Sequence, residues 1–180
     1  MLTTMPENET TASSEPQVAS TDRRPFVFLI PVLVIVLDRL TKNWVVQHIR
    51  SGDSIPVIPG VFRLTHVLNT GAAFSMMETW RADYVRIGLV SFSSIAAILV
   101  FALLWRAGRV VSLTSVALAM ILGGALGNLY DRIRLHHVVD FLAVRIYHYN
   151  WPDFNVADSC IVIGACLMLL EIFQPQKTAE

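Results

Sequence analysis

The sequence predicts a mainly α-helical membrane protein with four transmembrane helices and a small β region between the first and second helices. Of the 180 residues, 54% are hydrophobic and only 16% are charged, whereas soluble domains carry about 25% charged residues. Two runs lack any charged residue, one of 19 residues at 87–105 and one of 21 residues at 110–130. Each matches the roughly 20 residues that cross a bilayer as a helix, so the chain is expected to be a multi-pass membrane protein.

The two ends of the chain are predicted to be tails. Residues 1–24 are rich in Thr, Ser, Glu and Pro and have few large apolar side chains, so they bury too little surface to offset the entropy of ordering and are expected to be disordered. Residues 175–180 form a short C-terminal tail. The segment between them, 25–174, is predicted to be one integral membrane domain.

The four spans are predicted in order at about 25–47, 85–105, 110–130 and 155–173. Arg23 and Arg24 precede the first apolar run as they would in a signal peptide. No small-residue cleavage site follows that run, which favours an uncleaved helix. The fourth segment is apolar except for Asp158 near its start and Glu171 near its end.

The segment between the first two helices has the pattern of short strands. A Pro59-Gly60 turn signal is followed by residues that alternate in polarity, with Phe62, Leu64 and Leu68 set against Arg63, Thr65 and Val67. We expect strands with one apolar face, lying at the membrane surface. The connection between the third and fourth helices is polar and aromatic, and its tyrosine and tryptophan side chains are typical of the membrane interface.

Composition and spacing narrow the possible partners. Acidic and basic residues balance at 14 each, so bulk charge gives no argument for a nucleic-acid partner. Cys160 and Cys166 are six residues apart, which places them on different faces of a helix and disfavours an internal disulfide. No His or Cys spacing typical of a metal site is found. We therefore expect no nucleic-acid partner, no metal and no cofactor.

Several polar residues lie in predicted spans, where ionisable groups cost about 3 kcal/mol. Asp38 and Lys42 are spaced i,i+4 at the end of the first helix; they form either an ion pair near the interface or a group that supports a site or a lipid headgroup. Asn128 lies inside the third apolar run, and Arg132 follows one turn later on the same face. Because Asn128 needs a hydrogen-bond partner, this face is expected to point into the bundle.

Two carboxylates carry the strongest functional signal. Asn155 and Asp158 have the spacing of a helix capping box, which is a structural role for both residues. The connection after the third helix can bring Asp140 beside the start of the fourth helix and so place it next to Asp158. Two adjacent carboxylates share one proton, and such a pair can activate a water molecule against an amide carbonyl. The helix N-terminus favours the charged form of Asp158, which makes this residue the expected base.

Two other classes of function, a transporter or channel and a non-catalytic scaffold, are alternatives to hydrolysis. In a small transporter or proton channel, intramembrane acids and Lys42 would form a relay. The acids here lie at helix ends, and the two halves of the chain do not resemble each other, whereas transporters often have repeated halves. A non-catalytic scaffold would use the Gly123 and Gly127 pair for helix packing, but it leaves the two carboxylates unexplained.

The motifs taken together resemble a known family. In chain order they are "DRLTKNWV", "NTGAAFS", "GGALGNLYDRI", "VVDF" and "FNVADS". In this order, and at these positions relative to the four spans, they resemble lipoprotein signal peptidase, the type II bacterial signal peptidase. The resemblance covers about residues 25–173.

The resemblance implies an aspartyl protease of the bacterial inner membrane that needs no cofactor. Its substrates would be diacylglyceryl-modified prolipoproteins, cut just before the lipidated cysteine, and its surroundings membrane lipid. The expected enzyme is a monomer with both termini in the cytoplasm and the active site and strand region near the extracytoplasmic face. The short loop that holds Arg106 and Arg109 fits cytoplasmic termini, although the number of basic residues in the long loops does not.

The resemblance also implies roles for individual residues. Asp140 and Asp158 match the catalytic pair. The residues expected to bind substrate or support the site are Asp38, Lys42, Asn69, Gly71, Gly124, Asn128, Arg132 and Asn155. Gly123 and Gly127 could open space between helices for a signal-peptide segment, or could serve helix packing alone.

Overall fold

A computed structural model of the chain describes residues 22–71 and 82–173. Nearly all of the predicted N-terminal tail, the whole C-terminal tail and the part of "NTGAAFS" after Gly71 lie outside these residues. In chain order, the elements are α1 (Arg24–His48), β1 (Ser54–Ile58), β2 (Phe62–Asn69), α2 (Ala82–Ala107), α3 (Leu113–Arg134), β3 (Val138–Ile146), β4 (Tyr149–Asn150) and α4 (Val156–Ile172). Each of the four predicted spans corresponds to one of these helices.

Helix α3 is the centre of the bundle and contacts α1, α2 and α4. Its glycines allow close approach: a Cβ atom on Gly123 would lie 2.7 Å from Cβ of Val34, and one on Gly124 would lie 2.3 Å from the carbonyl oxygen of Ala157. Helix α1 therefore fills the space beside Gly123. The packing role is confirmed for Gly123, and the space beside it that could have taken a signal-peptide segment is occupied by Val34 and Pro31.

The outer faces of the helices are apolar. Asp83–Ala107 in α2 and Leu113–Arg134 in α3 are long and apolar enough to cross a membrane. Helices α1 and α4 also expose large apolar side chains: Leu29, Val32, Leu33, Val36, Leu37, Leu40, Val162, Ile163, Leu169, Leu170 and Ile172. Contiguous exposed apolar surface of this extent marks contact with a membrane or another protein.

The described strands form one antiparallel sheet in the order β1-β2-β3-β4. The prediction of strands between the first two helices is confirmed by β1 and β2. The sheet is not confined to that segment, because the nine residues of β3 and the two of β4 come from the connection between α3 and α4. Strand β3 pairs with β2, about 75 residues earlier in the chain, and such long-range pairing is not visible in local periodicity.

The alternation predicted in β2 holds for only part of the strand. Leu64 pairs with Leu142 and Val67 pairs with Asp140, with an irregularity in β2 between the two pairs. The extra residue reverses which side chains face each side of the sheet, so Leu68 is exposed instead of sharing the apolar face of Leu64.

The sheet packs against the end of α1. Val139 and Phe141 of β3 form a buried cluster with Val45 and Ile49. Successive side chains of a strand point to opposite faces, so Asp140 points away from this cluster. The packing of β3 on α1 thereby fixes the position of Asp140 at one end of the helix bundle.

Candidate active site

Asp140 and Asp158 meet where β3 lies beside the first turn of α4. Asn155 contacts both of them: its Nδ2 donates to Oδ1 of Asp140 at 2.7 Å, and its backbone N–H donates to Oδ2 of Asp158 at 3.2 Å. The structure thus brings together the two carboxylates that the sequence pairs, with one buried asparagine between them.

The start of α4 is held by side chains from two directions. Oδ1 of Asn155 accepts a hydrogen bond from the backbone N–H of Asp158 at 2.9 Å, and the capping box predicted for these two residues is present. Oδ1 of Asp38, on α1, accepts from the backbone N–H of Ala157 at 3.1 Å. Two orphan N–H groups of the first turn, those of Ala157 and Asp158, are satisfied in this way, and the partial positive charge of the helix N-terminus lies beside Asp158.

Asp140 is buried and holds a proton more tightly than an ordinary aspartate. Burial raises the pKa of Asp140 from 3.8 to about 6; the hydrogen bond from Asn69 opposes the rise, and the charge of Asp158 adds to it. Nδ2 of Asn69 donates to Oδ2 of Asp140 at 2.9 Å. Removal from water disfavours the charged form of a carboxylate, so Asp140 binds a proton at a pH at which an exposed aspartate is ionised.

Gly71 orients Asn69. The backbone N–H of Gly71 donates to Oδ1 of Asn69 at 2.8 Å, so the Nδ2 of that amide is directed toward Asp140. Gly71 has a φ of +84°, which a residue with a side chain adopts only with strain. Its contribution to the site is this backbone conformation.

A buried cation lies behind the carboxylates. Nζ of Lys42 donates to Oδ2 of Asp38 at 2.7 Å and to Oδ1 of Asn128 at 3.0 Å. It also lies 2.8 Å from Oδ2 of Asp131, a charge contact without hydrogen-bond geometry. Arg39 pairs with the other oxygen of Asp131, so two acidic and two basic side chains balance. Such compensation offsets the cost of burying charge.

Asn128 connects this cation to the carboxylate pair. Its Oδ1 accepts from Nζ of Lys42 and, at 3.2 Å, from Nδ2 of Asn155. Since an amide has one acceptor atom and one donor atom, these contacts direct its Nδ2 to the other side, where it donates to Oδ1 of Asp158 at 2.7 Å. Lys42 therefore fixes the amide orientation that places a donor on Asp158.

Two predicted residues stand apart from the cluster. Gly124 touches none of the polar groups and instead allows α3 to approach α4 at Ala157. Arg132 is half-buried, and its side chain makes no hydrogen bond or ion pair with any other residue in 22–71 or 82–173. No contact within the described residues supports the predicted place of Arg132 in the site.

Two residues of the cluster were not predicted. Asp131 is fully buried and Arg39 stacks on the ring of Tyr130, with its guanidinium 4.7 Å from the ring centre. The spacing of three residues between Asn128 and Asp131 was the available signal for Asp131, because residues i and i+3 share a helix face.

The carboxylates of Asp140 and Asp158 are the groups of this cluster that can carry out chemistry. Within the described ranges, no group of three or more His, Cys, Asp or Glu side chains could hold a metal ion. The two aspartates are instead surrounded by amide donors and by the first turn of a helix. A carboxylate pair that shares a proton is the catalytic device of aspartic peptidases. Fold and site together define a helical protein with apolar outer faces and a site of the aspartic-peptidase type.

Comparison with known proteins gives the family. The family model described as signal peptidase (SPase) II matches residues 30–174. The lipoprotein signal peptidase of Solibacter usitatus is 37% identical over 158 residues, covering 88% of this chain and 96% of that protein. That of Ectopseudomonas mendocina is 43% identical over 154 residues, covering 84% and 90%. A solved structure described as a bacterial membrane enzyme aligns with a TM-score of 0.69 at 30% identity, covering 86% of this chain and 95% of the other.

The chain belongs to the signal peptidase II family of aspartic peptidases, which cleave signal peptides from prolipoproteins. The resemblance found in its motifs is therefore confirmed.

Proposed function

We propose that this protein cleaves diacylglyceryl-modified prolipoproteins just before the lipidated cysteine, with Asp140 and Asp158 as its catalytic residues. The observation that carries the proposal is the meeting of these two carboxylates around the buried amide of Asn155. Ionisable groups are costly in a protein with apolar outer faces and are therefore functional candidates.

In the proposed mechanism, ionised Asp158 accepts a proton from a water molecule whose oxygen attacks the scissile carbonyl carbon. Protonated Asp140 donates to the carbonyl oxygen, and a tetrahedral intermediate forms. The intermediate then collapses: the C–N bond breaks, the cysteine amine takes the proton held by Asp158, and Asp140 regains its own. The raised pKa of Asp140 supports this division of roles, although titration belongs to the pair as a unit.

The supporting residues would hold the two carboxylates in position relative to each other. Asn69 and Asn155 donate to Asp140, and Asn128 donates to Asp158. Because amide donors stabilise a carboxylate as it becomes charged, they would lower the energy of the state in which Asp140 has given up its proton. Preorganised donors of this kind are a main source of catalysis.

We also propose that all four helices span the inner membrane, with both termini in the cytoplasm. The apolar outer faces of α1 and α4 support the four spans, and the short loop that holds Arg106 and Arg109 supports cytoplasmic termini. It would place the sheet and the carboxylates near the extracytoplasmic face, so that a substrate could keep its acyl chains in the bilayer during cleavage. Residues 25–174 would form the peptidase domain, working as a monomer, with the two tails outside it.

The test combines the purified protein with a diacylglyceryl-modified prolipoprotein and follows the products by mass spectrometry. We expect one cut, immediately before the modified cysteine. Asp140→Asn and Asp158→Asn should each abolish it, while Asp53→Asn, which alters an exposed carboxylate outside the pair, should cleave normally. All variants should first show a thermal midpoint in detergent that indicates folding. Normal cleavage by either folded dyad variant would refute the assignment.

A further inference from the structure

We propose that the end of the sheet far from the carboxylates binds the phosphate group of a membrane phospholipid. The site is a cavity of about 280 Å³ at the turn between β1 and β2, here called the arginine cavity. Its polar lining residues are Ser54, Arg63, Arg145 and Asn150, and its apolar ones include Ile58, Val61 and Trp151. The proposal rests on the placement of the sheet at the membrane surface given above.

The arginine cavity carries positive charge without compensation. Arg63 pairs across the strands with Ala143, and Arg145 lies two residues further along β3, so both arginines are on one face of the sheet. Both are exposed, and neither forms an ion pair with another residue of the described ranges. The lining contains no acidic side chain. Two guanidinium groups on one face suit a phosphate group, which they can bind with paired hydrogen bonds.

The rim of the cavity favours a lipid over a free anion. Ile58, Val61 and Trp151 line it and are each about half exposed, at 53%, 49% and 53%. The ring of Tyr149 packs edge-on against that of Trp151, with centres 6.2 Å apart. Amphipathic aromatic rings favour the headgroup level of a bilayer. The apolar rim and the cationic lining together suit a phospholipid, in which a phosphate group is attached to acyl chains.

The arginines lie on the same face of the sheet as the residues of β3 that pack on α1. Val139 and Phe141 share the face of Arg145 by strand alternation and pack on α1 at Val45 and Ile49. Further along β3, Arg145 lies beyond this helix contact. A phospholipid beside the bundle would present its headgroup to this overhanging part of the sheet. The diacylglyceryl group of the proposed substrate has no phosphate, so the ligand is a separate lipid.

The test measures retained lipid instead of cleavage. The full chain carrying Asp140→Asn is purified from nanodiscs that contain phosphatidylglycerol, transferred to detergent, and examined by native mass spectrometry. The same protein with Arg63→Gln and Arg145→Gln is compared with a charge-matched control that has Arg50→Gln and Arg134→Gln. These two control arginines are exposed and do not line the cavity.

We expect the parent and the control to retain phosphatidylglycerol. The Arg63/Arg145 variant should retain it at least about tenfold less, which corresponds to about 1.4 kcal/mol, because it loses two charge-assisted contacts to the phosphate. Millimolar inorganic phosphate should not displace the lipid. Equal retention by all three proteins, or full displacement by inorganic phosphate, would overturn the proposal. If Arg63→Gln and Arg145→Gln were placed in the protein with Asp140 intact, and raised KM for prolipoprotein while lipid retention was unchanged, the cavity would belong to the substrate and the proposal would be overturned. Because lipid retention is measured on the inactive protein, that result is independent of the proposed cleavage.

Discussion

Replacing Asn155 by serine or by alanine separates its two roles. The side-chain oxygen of Asn155 caps α4, while its Nδ2 donates to Asp140. Serine can still cap the helix, since Ser and Asn are equally good N-cap residues, but it has no group that reaches Asp140. Alanine loses both interactions. We expect the two variants to differ in stability and to share the same catalytic defect.

The magnitudes follow from the contacts. Loss of an N-cap costs about 1 kcal/mol, so Asn155→Ala should melt roughly 2–4 °C below Asn155→Ser. A hydrogen bond to a charged group contributes about 1.5–3 kcal/mol. In the proposed mechanism Asp140 becomes charged when it gives its proton to the substrate, so both variants should lose about ten- to hundredfold in kcat. The bond from Asn69 remains and limits the loss.

The assay is prolipoprotein cleavage per folded molecule, with the folded fraction taken from the thermal transition in detergent. The pH profile provides a second measurement. Because the pKa of Asp140 is raised to about 6, we expect the alkaline limb of kcat/KM near that pH. The hydrogen bond from Asn155 lowers this pKa, so its loss should move the limb to higher pH by about one unit. If Asn155→Ser keeps the wild-type kcat and pH profile, Asn155 is a helix cap alone and the reasoning fails.

Three further perturbations test the packing and the charges. Gly124→Ala should lower the thermal midpoint, because the added Cβ would lie 2.3 Å from the carbonyl oxygen of Ala157 and overpacking costs about 1–3 kcal/mol. The control Gly88→Ala, whose Cβ would have no atom within 4 Å, should be neutral or stabilising. An equal fall in the thermal midpoint of both variants would contradict the packing of α3 on α4. Lys42→Met leaves two buried carboxylates without their shared cation and should lower the free energy of unfolding by about 3–5 kcal/mol. The loss should be measurable as a sharp fall in the yield of folded protein. An unchanged yield would argue against the buried charge cluster. Because the pKa of Asp140 is raised to about 6, the stability from its bound proton is complete below about pH 4 and is lost as the pH rises through 6. Asp140→Asn should remove this part of the pH dependence of the thermal midpoint, and an identical pH dependence in the variant would refute it.

Much of the fold could be predicted because its signals are local. The helices follow from apolar runs and from the capping box of Asn155 and Asp158, which act within a few residues of each other. Strand β3 was missed because its partner in the sheet lies in a distant segment, and its apolar residues alone do not distinguish a strand from a buried loop. The irregularity in β2 was missed for a similar reason, since pairing with β3 defines it.

The pairing of the carboxylates could also be predicted, because a polar residue in an apolar protein needs a partner. What sequence reasoning could not supply was how the charges balance. Asp131 and Arg39 were not predicted as part of the site, yet Asp131 lies beside Lys42 and pairs with Arg39. Arg132, next to Asp131 in the chain, was assigned to the site and has no such contact. Which of two adjacent charges turns inward depends on the rotation of α3 against α1, and this rotation is set by packing at Gly123.

The bond between Asp38 and the backbone of Ala157 joins the first helix to the last across 119 residues of sequence. It has a consequence for the order in which the protein is made. In the topology proposed above, the N-terminal helix enters the membrane first during synthesis, and its acidic group has no such partner until the final helix arrives. The two carboxylates of the proposed catalytic pair are likewise split between a strand and that final helix. A partly synthesised chain therefore lacks the assembled site, and the proposed hydrolysis would begin only after α4 has been made.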